Sequence, residues 1–330
     1  MHRHSTQENE LQTDGNLWHN QHRTHRRRTK TTVPNAHNKP DDSAQFVETT
    51  DGRRLAYSEF GSPTGRPVIY CHGFPSSRRE AMLMHEAALD TNTRIIAPDR
   101  PGYGDSDPAP ERGIADWSDD VALLADRLNL DKFGLIGVSG GGPYALACAA
   151  RTPKRLNGCA LICPLGPIYI DTLLNQMNWA VRTNLLVAKQ PQWLGELMFG
   201  GHTTALLEHW PKLVEDLRSI AAPKADRDVL KQGNNAAILN QTIADAMRNG
   251  APGARRDLIL YTHDWQLNFA DITPSIHIWH GDADGTAPIE HARWYAKHLT
   301  NAQLVELPGE GHYSVPVLYS RQILSNLFEV

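Results

Sequence analysis

Only four cysteines occur in 330 residues, at Cys71, Cys148, Cys159 and Cys163, and none forms a C-x-x-C pair or stands beside a histidine at metal-ligand spacing. That argues against a disulfide framework and against a cysteine-based metal or redox site, so all four read as reduced core residues. No run of 18 apolar residues is present to span a bilayer as a helix, and the N-terminus has no apolar stretch of the secretory type. Charge of one sign is scarce as well: a net charge of -4 marks neither a nucleic-acid groove nor a membrane-surface patch. No phosphate-cradling glycine loop is seen, so no cofactor is expected, and His202, His209 and His263 show no metal-ligand spacing. What is left is a protein of ordinary soluble balance, expected in the cytoplasm, with a small molecule as its partner. Its 40% hydrophobic content is enough at this length for one large core or two modest ones.

Residues 1–45 differ from everything after them. They are rich in His, Arg, Thr, Asn and Gln, with only scattered apolar residues such as Leu11, Leu17, Trp18 and Val33, and cannot assemble a core. They read as a disordered tail. The run His25-Arg26-Arg27-Arg28 is diluted by Glu8, Glu10 and Asp14 and reads as solvated, while the six tail histidines leave a metal-binding reading open.

From residue 46 the chain turns orderly. Phe46–Phe60 reads as a hairpin turning at Thr50-Asp51-Gly52. Strands are expected at Val68–Cys71, Arg94–Ala97, Gly134–Val138 and Leu156–Cys163, alternating with helices over Arg79–Leu89, Ile114–Leu128 and from Ser139 to about Arg151. Alternation of this kind implies a mostly parallel sheet flanked by helices. It stops over 166–270, where apolar residues recur at helical spacing between breaks at Pro191, Pro211, Pro223 and Pro252, so an inserted helical layer is expected. Alternation then resumes with a strand at Ile276–Trp279, a helix at Glu290–His298, a strand at Gln303–Glu306 and a closing helix at Leu318–Phe328.

The chemistry gathers at strand ends. Gly137-Val138-Ser139-Gly140-Gly141 follows one expected strand and opens a helix, the context in which G-x-S-x-G presents a serine on a tight turn with glycines two residues to either side. A serine hydroxyl is a poor nucleophile at neutral pH and needs a base, and the base needs a group to orient it. Gly309-Glu310-Gly311-His312 places His312 on the loop after the last strand, and His280-Gly281-Asp282-Ala283-Asp284 offers two carboxylates on the loop before it.

With these residues in the order serine, aspartate, histidine, the chain from 46 to 330 resembles the α/β-hydrolase fold superfamily, of the capped, serine-nucleophile, bacterial esterase-like kind. Two further segments carry the likeness: His72-Gly73-Phe74-Pro75-Ser76-Ser77-Arg78 and Asp99-Arg100-Pro101-Gly102-Tyr103-Gly104-Asp105-Ser106. The resemblance implies a core over 46–165 and 271–330 with a helical cap inserted at 166–270. It implies Ser139 as nucleophile, His312 as base, and backbone N–H groups of Phe74 and Gly140 as an oxyanion hole. The acid three residues after the loop glycine maps to Asp284, with Asp282 open as the alternative.

The implied activity is cleavage of a small carboxylic ester, apolar in its acyl part, through an acyl-enzyme, with neither cofactor nor metal. A C–C bond hydrolase or aminopeptidase of the same fold, or a non-catalytic ligand receptor, is the alternative. His72 is expected to be structural, Asp99, Arg100 and Asp105 to organise their loop, and Trp179, Trp193, Trp210 and Trp265 are candidates to line an apolar pocket, with a place in the core of the cap the favoured reading for any single one.

Overall fold

A computed structural model describes residues 41–188 and 222–329. The tail expected over 1–45 lies outside the described residues up to position 40, and so do Trp193 and Trp210. Strands β1 (Gln45–Glu48) and β2 (Arg54–Gly61) form the expected hairpin, with Phe46 opposite Ala56. Its turn needs a left-handed residue, and Gly52 supplies it at φ +83°.

The chain continues through β3 (Arg66–Cys71), α1 (His85–Asp90), β4 (Thr93–Pro98), α2 (Trp117–Arg127), β5 (Phe133–Val138), α3 (Gly142–Arg151) and β6 (Leu156–Ile162). Helices α4 (Asp171–Leu174), α5 (Trp179–Ala188), α6 (Lys224–Leu230), α7 (Asn235–Met247) and α8 (Pro252–Tyr261) follow. Then come β7 (Ile276–Gly281), α9 (Ile289–His298), β8 (Ala302–Leu307), α10 (Ser314–Leu318) and α11 (Ser320–Asn326). Two expected helices differ in form. The first is a 3-10 helix over Arg78–Met84 that becomes α1, and the closing helix is the pair α10 and α11, interrupted at Tyr319 with φ −105° and ψ 4°.

The eight strands form one sheet in the order β1-β2-β4-β3-β5-β6-β7-β8, antiparallel at the β1 and β2 end and parallel elsewhere. All six residues of β5 are buried, as a continuous apolar run should be in a strand covered on both faces. The faces sort by period two: Leu135 joins the core against α2, α3 and α9, while Ile136 joins the core against α1 and α11. Helix α2 shows how sequence pattern becomes packing, since Trp117, Val121, Leu124 and Ala125 turn inward at helical spacing. Cys159 of β6 pairs with Ile276 of β7, so the sheet passes directly across the helical segment between them.

From β3 the chain crosses to β4 on one side, and all later strands add on the other. The carboxyl ends of β3 and β5 therefore border the point where strand order reverses, where a doubly wound sheet opens a crevice. Among the described residues, no helix is long and apolar enough to cross a membrane.

Candidate active site

The loops leaving β3, β5, β7 and β8 meet at that crevice. Ser139 is held at φ +51°, an uncommon conformation for a residue with a side chain, and the glycines around it make this possible. A Cβ on Gly137 would lie 2.7 Å from the Ala145 Cβ and 2.9 Å from the Gly141 carbonyl oxygen. One on Gly141 would collide with the carbonyl oxygens of Cys71 and His72, so the second glycine is squeezed mainly by the end of β3.

The structure brings Ser139, His312 and Asp284 together. His312 Nε2 lies 3.0 Å from Ser139 Oγ, and Nδ1 lies 2.7 Å from Asp284 Oδ2. The other carboxylate oxygen of Asp284 accepts the N–H groups of Thr286 and Ala287 at 2.8 and 2.9 Å, which fixes its plane. Asp282 is exposed and accepts the Gly309 N–H instead, at 2.7 Å. Because an ionised carboxylate can only accept, the His312 proton sits on Nδ1 and Nε2 is free to accept from the serine hydroxyl. Burial pushes the Asp284 carboxyl up, but the charge and hydrogen bond of His312, together with His280, overcome it and hold Asp284 well below the usual carboxylate range. Burial likewise pushes His312 down, and Asp284, then Asp226 and Glu80, outweigh it and hold the imidazole above its ordinary value.

The His-Gly loop after β3 touches the elbow. A Cβ on Gly140 would lie 2.6 Å from the Phe74 Cβ and 2.6 Å from the Tyr261 hydroxyl, so the two backbones approach closely. Among the described residues the Phe74 N–H has no hydrogen-bond partner. The peptides around it are fixed from behind: Arg100 donates to the carbonyls of His72 and Gly73, and the Gly73 N–H donates to Glu80 at 2.7 Å. His72 is neutral and structural, accepting the Arg100 N–H on Nε2 at 3.1 Å, and burial first and then the Arg100 charge hold it well below the ordinary histidine value. Asp99 organises its loop through Arg78 and the Asp105 N–H.

Three carboxylates that matter here escape sequence reading. Asp257 of α8 is fully buried and accepts from Arg100, Arg112, Tyr103 and Tyr144, with the Tyr261 hydroxyl 3.2 Å away. Tyr261, one helical turn on, donates its proton to the Gly140 carbonyl at 2.8 Å. Asp226 of α6 is bonded to the His312 loop, and Glu80 lines the cavity beside Ser139. Sequence carried little signal for them: Asp257 heads the apolar run Leu258-Ile259-Leu260-Tyr261 but follows Arg255-Arg256, and Asp226 and Glu80 stand among charged neighbours. Tyr261→Phe is expected to lower kcat about tenfold with little change in KM and to cost about 1 kcal/mol of stability, as steady-state kinetics and a thermal melt can check.

The cavity at Ser139 measures about 90 Å³ and is lined by Leu83, Val138, Leu239 and Ile243 on its apolar side and by Glu80 and Thr242 on its polar side. The two candidate tryptophans within the described residues can be followed. Trp179 is exposed, and Trp265 packs on Tyr169 and Phe269, because the indole found apolar partners within its own segment; neither lines the cavity.

Cys163, His280 and Asp284 bring potential ligand atoms within 4.8 Å of one another, but they do not suit a metal. Both Asp284 oxygens are engaged, His280 Nε2 is bonded to the Ala287 carbonyl, and burial pushes the Cys163 thiol well above the range where a thiolate forms.

Residues 66–317 match the family model of the alpha/beta hydrolase fold. The chain is 29% identical over 266 residues to the dihydrolipoyllysine-residue acetyltransferase component of the acetoin cleaving system of Pseudomonas putida, matching 79% of this chain but spanning only 62% of that protein. It is 27% identical over 267 residues to the non-heme chloroperoxidase CPO-A1 of Kitasatospora aureofaciens, covering 80% of this chain and 90% of the other. An esterase from Exiguobacterium antarcticum shares the fold at a TM-score of 0.63 and 19% identity, covering 87% of this chain and 98% of that one. Sheet, elbow and sequence matches together define a hydrolase-type enzyme. The chain belongs to the α/β hydrolase fold family.

Proposed function

We propose that this chain is a serine hydrolase that cleaves small carboxylic esters through an acyl-enzyme. The observation that carries this reading is the hydrogen-bonded relay from Ser139 Oγ to His312 Nε2 at 3.0 Å and from His312 Nδ1 to Asp284 at 2.7 Å. Ser139 attacks the ester carbonyl as His312 takes the hydroxyl proton, and Asp284 holds the imidazole and balances its charge. The N–H groups of Phe74 and Gly140 receive the oxyanion, each donor contributing roughly 100- to 1,000-fold. His312 returns the proton to the departing alkoxide. Water then attacks the acyl group with His312 as base, releasing the acid and restoring Ser139.

In this reading residues 46–165 and 271–330 form the hydrolase core and 166–270 a cap over the site. The cavity of about 90 Å³ favours a small acyl group. Hydrolysis of p-nitrophenyl esters of increasing acyl length tests it: kcat/KM is expected to peak at acetate or propionate and fall with longer chains, and absence of turnover on every ester would contradict the reading.

The pH dependence follows from His312. The base acts neutral and its folded pKa is raised, so protonation removes activity as pH falls through a value above the ordinary histidine range of about 6.5. The acid limb of kcat/KM is therefore expected above pH 6.5.

The similarity to the chloroperoxidase of Kitasatospora aureofaciens favours one second reading, in which hydrogen peroxide replaces water on the acyl-enzyme and leaves as a peracid. Peracid formation from short esters in the presence of peroxide separates the two.

A further inference from the structure

Asp226 belongs to α6, in the helical segment between β6 and β7, yet its carboxylate is directed at the loop that carries His312. Its Oδ2 accepts the His312 N–H at 3.0 Å, and its Oδ1 accepts the N–H groups of Tyr313 and Ser314 at 2.9 and 2.8 Å. The residue is 2% exposed. Val229 and Leu230 of the same helix pack with Tyr313 and Val317, so apolar burial brings α6 onto this loop and the carboxylate meets three successive backbone donors there. A Cβ on Gly311 would run into the Asp226 carboxylate, which gives the glycine before His312 a purpose beyond a small-residue loop.

We propose that Asp226 is a positioning residue for His312: it fixes the backbone of the histidine loop from the helical segment and sets a second negative charge near the imidazole. The proposal rests on the reading of His312 as the base. It gives α6 a share in preparing the base. Three carboxylates act on the imidazole: Asp284 from the loop after β7, Asp226 from α6 and Glu80 from the 3-10 helix after β3. Asp284 orients the ring through Nδ1, and Asp226 holds the chain on which the ring is carried. Removing its charge weakens the imidazolium relative to neutral imidazole, so the titration midpoint moves down, whereas a plain tether leaves it in place.

The test is an NMR titration of the His312 imidazole in the full chain, wild type against Asp226→Asn, with the resonance assigned by its loss in His312→Asn. Asp226→Asn is expected to lower the His312 midpoint by about one unit and to reduce kcat about ten- to a hundredfold with KM nearly unchanged. Should this variant fold poorly, Gly311→Ala disturbs the same contact from the other side and is expected to move the midpoint in the same direction. An unchanged midpoint in a variant that melts like wild type overturns the proposal. The titration needs no turnover, so it stands apart from fluorophosphonate labelling of wild-type Ser139, whose absence would contradict the hydrolase reading instead.

Discussion

Ser139→Ala is expected to lower kcat on a short p-nitrophenyl ester by roughly 10⁵-fold while leaving the fold intact. In the proposed mechanism the hydroxyl is the atom that forms the covalent bond, and it is the group that His312 Nε2 faces, at 3.0 Å. Residual rate over water would come from the oxyanion donors and from binding alone. Stability should change by less than about 1 kcal/mol, because alanine inherits the same φ of +51° and the Ser139 carbonyl keeps its bond from the Leu165 N–H at 2.9 Å. Burst and steady-state kinetics on both proteins, with matched circular dichroism, read the outcome.

The largest stability effect is expected at Asp257, in a helix far from the elbow in sequence. Its carboxylate is fully buried and forms ion pairs with both Arg100 and Arg112, themselves buried. Asp257→Ala would leave two guanidinium groups uncompensated in the core, a change that costs about 3–5 kcal/mol in comparable buried pairs. Replacing the ensemble by apolar groups is a different matter, since the penalty comes from the stranded charge and not from the absence of a strong bond.

Burial alone would push the Asp257 carboxyl up, but Arg112 and Arg100 outweigh it and hold it well below the usual range. A depressed folded pKa gives stability that is fully present above the unfolded value of about 3.9 and is lost as pH falls below it. Denaturant midpoints should therefore drop below about pH 4 in wild type, and the drop should be shallower in an Asp257 variant. Activity should fall with stability, because Arg100 also holds the carbonyls of His72 and Gly73 beside the Phe74 N–H.

Much of this was legible in the sequence because it depends on local pattern. The parallel sheet follows from apolar runs such as Phe133–Val138 alternating with helices such as Trp117–Arg127, and the elbow from two glycines whose absent side chains the turn requires. His312 and the loop carrying Asp282 and Asp284 could be placed because each follows a recognisable strand by a few residues, while the choice of Asp284 over Asp282 came from the family resemblance. Asp257 and Asp226 could not. Their partners lie far away in sequence, Arg112 by 145 positions and the His312 N–H by 86, and no local spacing encodes such a pairing. The tryptophans stay undecided in the sequence for a related reason: an apolar ring in a helical segment reads the same whether it faces a cavity, its own neighbours, as Trp265 does, or solvent, as Trp179 does.

The most direct measurement is mass mapping after exposure of the folded wild-type chain to a fluorophosphonate. A single adduct on the peptide carrying Ser139, absent from Ser139→Ala, is the expected result. A folded protein that stays unlabelled, or one labelled at another residue, would contradict Ser139 as the activated nucleophile.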